Sequence, residues 1–117
     1  FSINDGRITE FSDNYYKGSS AIAINHGVFT ARYCEIVPAF DLNIETNVSA
    51  GQFLGITMPL NIQQANNCML HFEMYSNQAT GPLTQVGGDY YRRSDLMNPT
   101  FYLDNLAIMP QYKCNYK

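Results

Sequence analysis

Period-two alternation of apolar and polar side chains constrains this chain more than any other feature. In Leu42-Asn43-Ile44-Glu45-Thr46-Asn47-Val48-Ser49 every second residue is apolar or β-branched, and in Cys68-Met69-Leu70-His71-Phe72-Glu73-Met74-Tyr75 four apolar residues share one parity. A strand points successive side chains to opposite faces, so each segment has one face for a core and one for solvent. No segment carries the 3.6-residue period of a long amphipathic helix. Turn residues recur instead, at Asn4-Asp5-Gly6, Lys17-Gly18, Asn25-His26-Gly27, Ala50-Gly51, Gly87-Gly88 and Asn98-Pro99, where Gly, Asn and Pro supply the backbone angles a turn needs. Strands are therefore expected near residues 7–11, 20–25, 28–37, 40–49, 52–60, 67–76, 83–93 and 100–109. Short strands at this spacing, without alternating βα units, predict an all-β fold: an antiparallel β-sandwich of jelly-roll type. The parity nominates Leu42, Ile44, Val48, Leu54, Ile56, Met58, Cys68, Leu70, Phe72 and Met74 as inward. Pro59 marks an edge or an exit, because it cannot donate to a ladder.

At 117 residues the chain is expected to be one domain, residues 1–117, large enough to fold without a metal or disulfide staple. Its first residue is Phe1 rather than Met, which reads as the C-terminal fragment of a longer protein. Only 15% of residues are charged and the net charge is −3, with no basic run beyond Arg92-Arg93. Phosphate neutralisation needs more than that, so nucleic acid is not an expected partner. No apolar run approaches the length of a membrane helix. Cys34, Cys68 and Cys114 are odd in number and lack CxxC spacing, so one at least is free or paired outside the chain. The simplest reading is reduced thiols, with Cys68 buried; a Cys34–Cys114 disulfide is the alternative.

Two clusters carry candidate chemistry. Asp89-Tyr90-Tyr91-Arg92-Arg93-Ser94-Asp95 combines rings that can stack on a sugar with directional donors and acceptors. Strand parity allows only one of the pairs Tyr90/Arg92 and Tyr91/Arg93 to line a given site, and the plain alternative is a core tyrosine beside surface ion pairs. His71, Glu73 and Tyr75 project together, opposite Leu70, Phe72 and Met74, as a binding row or as a solvated face. Arg32 with Glu35 is a similar, sparser pair. A glycosidase would need two carboxylates facing one another, and Glu35, Glu45 and Glu73 all lie on expected strands. Yet the chain has no Trp to line a sugar cleft, which leaves a small glycoside hydrolase as the lesser reading. His26, His71 and the cysteines lack the spacing of a zinc site.

Residues 100–108, Thr-Phe-Tyr-Leu-Asp-Asn-Leu-Ala-Ile, resemble the closing strand of jelly-roll carbohydrate-binding modules and of the terminal β domains of bacteriophage tail spikes and fibres. The resemblance implies a non-catalytic carbohydrate-recognition domain, the terminal domain of a phage spike or fibre or an accessory module of a carbohydrate-active enzyme; the two clusters then supply the candidate ligand-binding residues, Asp89, Tyr90, Tyr91, Arg92, His71, Glu73 and Tyr75. It implies a cell-surface glycan as partner, a homotrimer, and a place in a virion tail or outside the cell. It also implies a structural calcium at Asp104, with no other cofactor. A trimerisation or capsid-like assembly domain is the alternative.

Overall fold

A computed structural model describes residues 1–58, 68–85 and 91–104. Its strands are β1 (Gly6–Tyr16), β2 (Ser19–Asn25), β3 (Thr30–Pro38), β4 (Asn47–Val48), β5 (Gly55–Thr57), β6 (His71–Tyr75) and β7 (Leu96–Met97), followed by a short helix α1 (Thr100–Asp104). All seven strands lie in one sheet, in the order β4-β1-β2-β3-β6-β7, with β5 on β3 beside β6. Every pairing is antiparallel. The all-β antiparallel class is thus observed, while a second, facing sheet of jelly-roll type is not found among the described residues. No helix among them is long and apolar enough to cross a membrane.

The β1–β2 hairpin turns at Lys17 and Gly18, both at positive φ (47° and 81°), the geometry that matches strand twist in a two-residue loop. In β2 both faces are covered. Ile22 and Ile24 enter a core with Ile8, Phe29, Tyr33, Ile36, Leu42, Val48, Leu54 and Met74, while Ala21 and Ala23 are buried with opposite parity. Alanines there leave room for the long polar side chains of neighbouring strands. β3 carries a bulge. Ala21 pairs with Cys34 but Ser20 pairs with Ile36, so Glu35 is the extra residue, at φ 64°. Such a residue sends its side chain out of strict alternation.

Among the described residues, two expected strands are largely replaced by other structure. Within residues 40–49 only Asn47–Val48 pairs, with Gly6 and Arg7 of β1. A local turn wins over extension: Thr46 N–H donates to the Asn43 carbonyl at 3.1 Å, Asn43 N–H to Thr46 Oγ1 at 3.0 Å, and Glu45 sits at φ 75°. Leu42 and Val48 are buried but Ile44 is exposed, as are Ile56 and Leu70. Near residues 100–109 the described part is helix. Asn98 Oδ1 accepts from the Thr100 N–H at 3.0 Å and its hydroxyl at 2.6 Å, and Pro99 presets the first-turn φ. The cysteines also differ from expectation. Cys34 is the buried free thiol, while Cys68 is disulfide-bonded and only half-buried.

Candidate functional site

The register of β3 on β6 sets Cys34 beside His71 and Arg32 beside Glu73. These four side chains share one face of the sheet with Tyr75, whose backbone lies two residues beyond Glu73. Cys34, His71 and Glu73 each present a donor atom, and the three donors lie within 4.8 Å of one another. His71 is held from both sides: Nε2 is 3.1 Å from Glu73 Oε1, and Nδ1 is 3.6 Å from Glu35 Oε1. The bulge makes the second contact possible, since strict alternation from Cys34 would turn Glu35 away. The Tyr15 ring stands edge-on to His71 at 6.1 Å.

The floor beneath is a buried charge network. Arg32 donates from Nε to Glu10 Oε1 (2.9 Å) and from one terminal nitrogen to Glu73 Oε2 (3.3 Å) and to the Thr84 carbonyl (2.8 Å). The Tyr75 hydroxyl donates to Glu73 Oε2 at 2.5 Å and accepts from the Thr84 N–H at 3.1 Å. Burial works to raise the Glu73 carboxyl, but hydrogen bonds from His71, Tyr75 and Arg32 outweigh it and hold the group below its ordinary value. The Glu73 hydrogen bond in turn raises His71, against its burial. Burial pushes the Cys34 thiol up to about 12. One polar atom is left over: Glu35 Oε2 is buried and has no hydrogen-bond partner among the described residues. A buried carboxylate oxygen without a partner is costly, and a ligand, an ordered water or a functional role accounts for such an atom.

The row His71, Glu73 and Tyr75 thus exists as a unit, but Glu73 and Tyr75 are buried in a polar network rather than forming an open platform. Tyr91 and Arg92 are exposed. Arg92 reaches the same neighbourhood, because a cavity of about 370 Å³ is lined by His71, Glu73 and Arg92. Asp89 and Tyr90 lie outside the described residues. Asp104 ends α1, is exposed, and is not part of the donor cluster. Cys34 was not singled out as a site residue by sequence, and Glu35 only weakly. Their partner His71 lies far along the chain, and a bulge leaves no mark on period-two patterning.

No family model and no curated protein matches this chain by sequence. Among solved structures it is similar to the catalytic domain of the antimicrobial peptidase lysostaphin from Staphylococcus simulans. The TM-score is 0.59 at 21% sequence identity, over 89% of this chain and 68% of that one. At this identity the likeness is one of fold, and it corrects the resemblance to carbohydrate-binding modules and phage spikes. The matched architecture is a peptidase catalytic domain, and the segment read as a closing strand begins as a helix. The non-catalytic carbohydrate role, the assembly-domain alternative, the glycan partner and the trimeric spike lose their footing with it. A possible metal-binding group does exist, at Cys34, His71 and Glu73 rather than at Asp104.

Proposed function

We propose that this chain is a metal-dependent hydrolase of peptide bonds, with Cys34, His71 and Glu73 holding zinc and Glu35 serving as general base. The observation that carries the reading is the convergence of a thiol, an imidazole and a carboxylate on one sheet face, in a fold shared with a peptidase catalytic domain. Sulfur, nitrogen and oxygen donors of this kind suit zinc, and three protein ligands leave a position for water or substrate. The donor atoms of Cys34, His71 and Glu73, all within 4.8 Å of one another, would hold the metal. A thiol held up near 12 needs a strong local cation to release its proton, and zinc deprotonates a coordinating thiol outright.

When bound, zinc acidifies water and polarises a carbonyl. The chain's own residues do the rest. Glu35, with one oxygen toward His71 and the other unpartnered, can take a proton from an attacking water and return it to the leaving amine. Arg32 fixes Glu73 and balances its charge, as outer partners of a ligand commonly do. A thiol-nucleophile triad is disfavoured because both nitrogens of His71 face carboxylates, leaving neither for the thiol. The disulfide at Cys68 fits an extracellular setting, since such bonds persist in oxidising compartments.

The test is calorimetric titration of zinc into EDTA-treated protein, followed by cleavage assays on fluorescence-quenched peptide pools. One zinc per chain is expected, lost in Cys34→Ser and His71→Ala. Glu35→Gln is expected to keep the zinc and lose cleavage. Failure of the parent to bind zinc sinks the reading. Cleavage that survives chelation and dies in Cys34→Ser would replace it with thiol chemistry.

A further inference from the structure

The β6–β7 ladder stops early, and for a covalent reason. Met74 pairs with Met97 and Tyr75 with Leu96, and the Ser76 N–H donates to the Asp95 carbonyl at 3.0 Å. Backbone groups that face one neighbour recur every second residue, so those of Met74 and Phe72 point the same way as those of Ser76. Continuing this register sets Phe72 opposite Pro99. Proline has no N–H to donate, and the Pro99 carbonyl is taken by the Leu103 N–H at 3.0 Å in α1. Among the described residues, then, the N–H and C=O of Phe72 face an unpaired edge. That edge borders the cavity of about 370 Å³ beside His71 and Glu73.

The cavity has a charge preference as well as an edge. The Glu73 carboxylate is engaged by Arg32, Tyr75 and His71, whereas Arg92 is an exposed arginine at the rim. Leu96 and Met97 add apolar wall. We propose that this edge seats an extended peptide bearing a carboxylate. The peptide adds to β6 as a strand, exchanges two backbone hydrogen bonds with Phe72, and gives its carboxylate to Arg92. Strand addition draws affinity from main-chain bonds and specificity from flanking pockets, and Arg is suited to bidentate capture of a carboxylate. His71 and Glu73 flank Phe72 and turn onto the face of the donor cluster, so a peptide bond level with Phe72 lies beside the proposed chemistry. Naming this peptide a substrate rests on the hydrolase reading; its binding does not.

The experiment separates the two. Isotope-labelled protein, kept in EDTA so that neither zinc nor cleavage enters, is titrated with tetra-alanine and followed by amide resonances. The same is done with its C-terminal amide and with versions N-methylated at one backbone nitrogen at a time. The Phe72 amide is expected to shift with free-acid peptide, and one N-methyl position is expected to abolish binding. Amidation and Arg92→Gln should each weaken binding about tenfold, as loss of one charge-assisted pair does, and the two losses should not add. An unmoved Phe72 amide at millimolar peptide, or a flat N-methyl scan, overturns strand addition. Equal binding of acid and amide overturns the role of Arg92. Zinc titration of a second sample, freed of EDTA, reports separately on the metal site.

Discussion

Arg93 and Asp95 are joined by two parallel hydrogen bonds, Nε to Oδ1 at 2.7 Å and a terminal nitrogen to Oδ2 at 3.0 Å, with both side chains buried. Burial alone would raise the Asp95 carboxyl. Hydrogen bonds from Arg93 and the Ala79 N–H, with the Arg93 charge, more than offset it and hold the group below its ordinary 3.8. A depressed carboxylate adds stability above its unfolded pKa and loses it as pH falls through the lower folded value. Asp95→Asn is therefore expected to cost roughly 3 kcal/mol near neutrality, because it strands a buried guanidinium. The gap to the parent should close below pH 3.8, as read by thermal melts across pH; a gap constant with pH would contradict it. Glycines give a second contrast. A Cβ at Gly55 would sit 2.3 Å from the Val37 carbonyl oxygen and 2.9 Å from Pro38 Cα, whereas at Gly51 it meets open space at φ 77°. Gly55→Ala should cost more than about 2 kcal/mol and Gly51→Ala only about 1 kcal/mol, a difference visible in urea midpoints. Neither the ion pair nor the glycine clash can be read from patterning, because each depends on which backbone lies across the gap. Glu35 is the sharpest case, since one extra residue in β3 returns it to the side of His71.

β6 shows how far alternation carries. Met74 is fully buried and Phe72 packs against the core with its ring edge-on to Tyr33 at 5.3 Å, so the parity of residues 72 and 74 is as the pattern implies. Leu70 lies before the strand and is exposed. Phe72 is only half-buried, and Phe72→Ala is accordingly expected to cost about 2–3 kcal/mol, short of the 3–5 kcal/mol of a fully enclosed ring. A loss under about 1 kcal/mol in chemical denaturation would mean that the contact with Tyr33 is loose. The equally regular alternation of residues 42–49 misleads, because a Thr46–Asn43 turn satisfies the same polar residues locally, sends Leu42 inward without a strand and leaves only Asn47–Val48 to pair. Side-chain competition of this kind is the usual reason Asn and Thr defeat patterning. At α1 the signal was present but outweighed: Asn98-Pro99 is a cap followed by a first-turn proline, ahead of aromatic residues that also suit strands.

At the scale of the whole molecule, the sheet does for the donors what the chain alone cannot. Cys34 comes from β3 and His71 with Glu73 from β6, and only the Cys34–His71 register brings them together. An unfolded chain has no preformed cluster, so zinc that binds this site binds the native state and stabilises it by mass action. With free zinc at one hundred times its dissociation constant, the gain is about 2.7 kcal/mol, or roughly 10 °C in melting temperature for a domain of this size. Cys34→Ser and His71→Ala should abolish the shift. Surface variants such as Glu45→Gln, which releases only the exposed Arg7 pair, should keep it. Cys34 supplies an independent readout. Its thiol is buried and pushed up to about 12, so in the native zinc-free protein it is protonated and unreactive. Alkylation should require unfolding, and added zinc should slow it further in denaturant-titrated samples by the same factor that it shifts the folding equilibrium. Agreement between the two factors would show that alkylation runs through unfolding, and loss of the protection in His71→Ala, which keeps the thiol, would tie the zinc to this site. Protection that survives His71→Ala would place the metal elsewhere on the molecule.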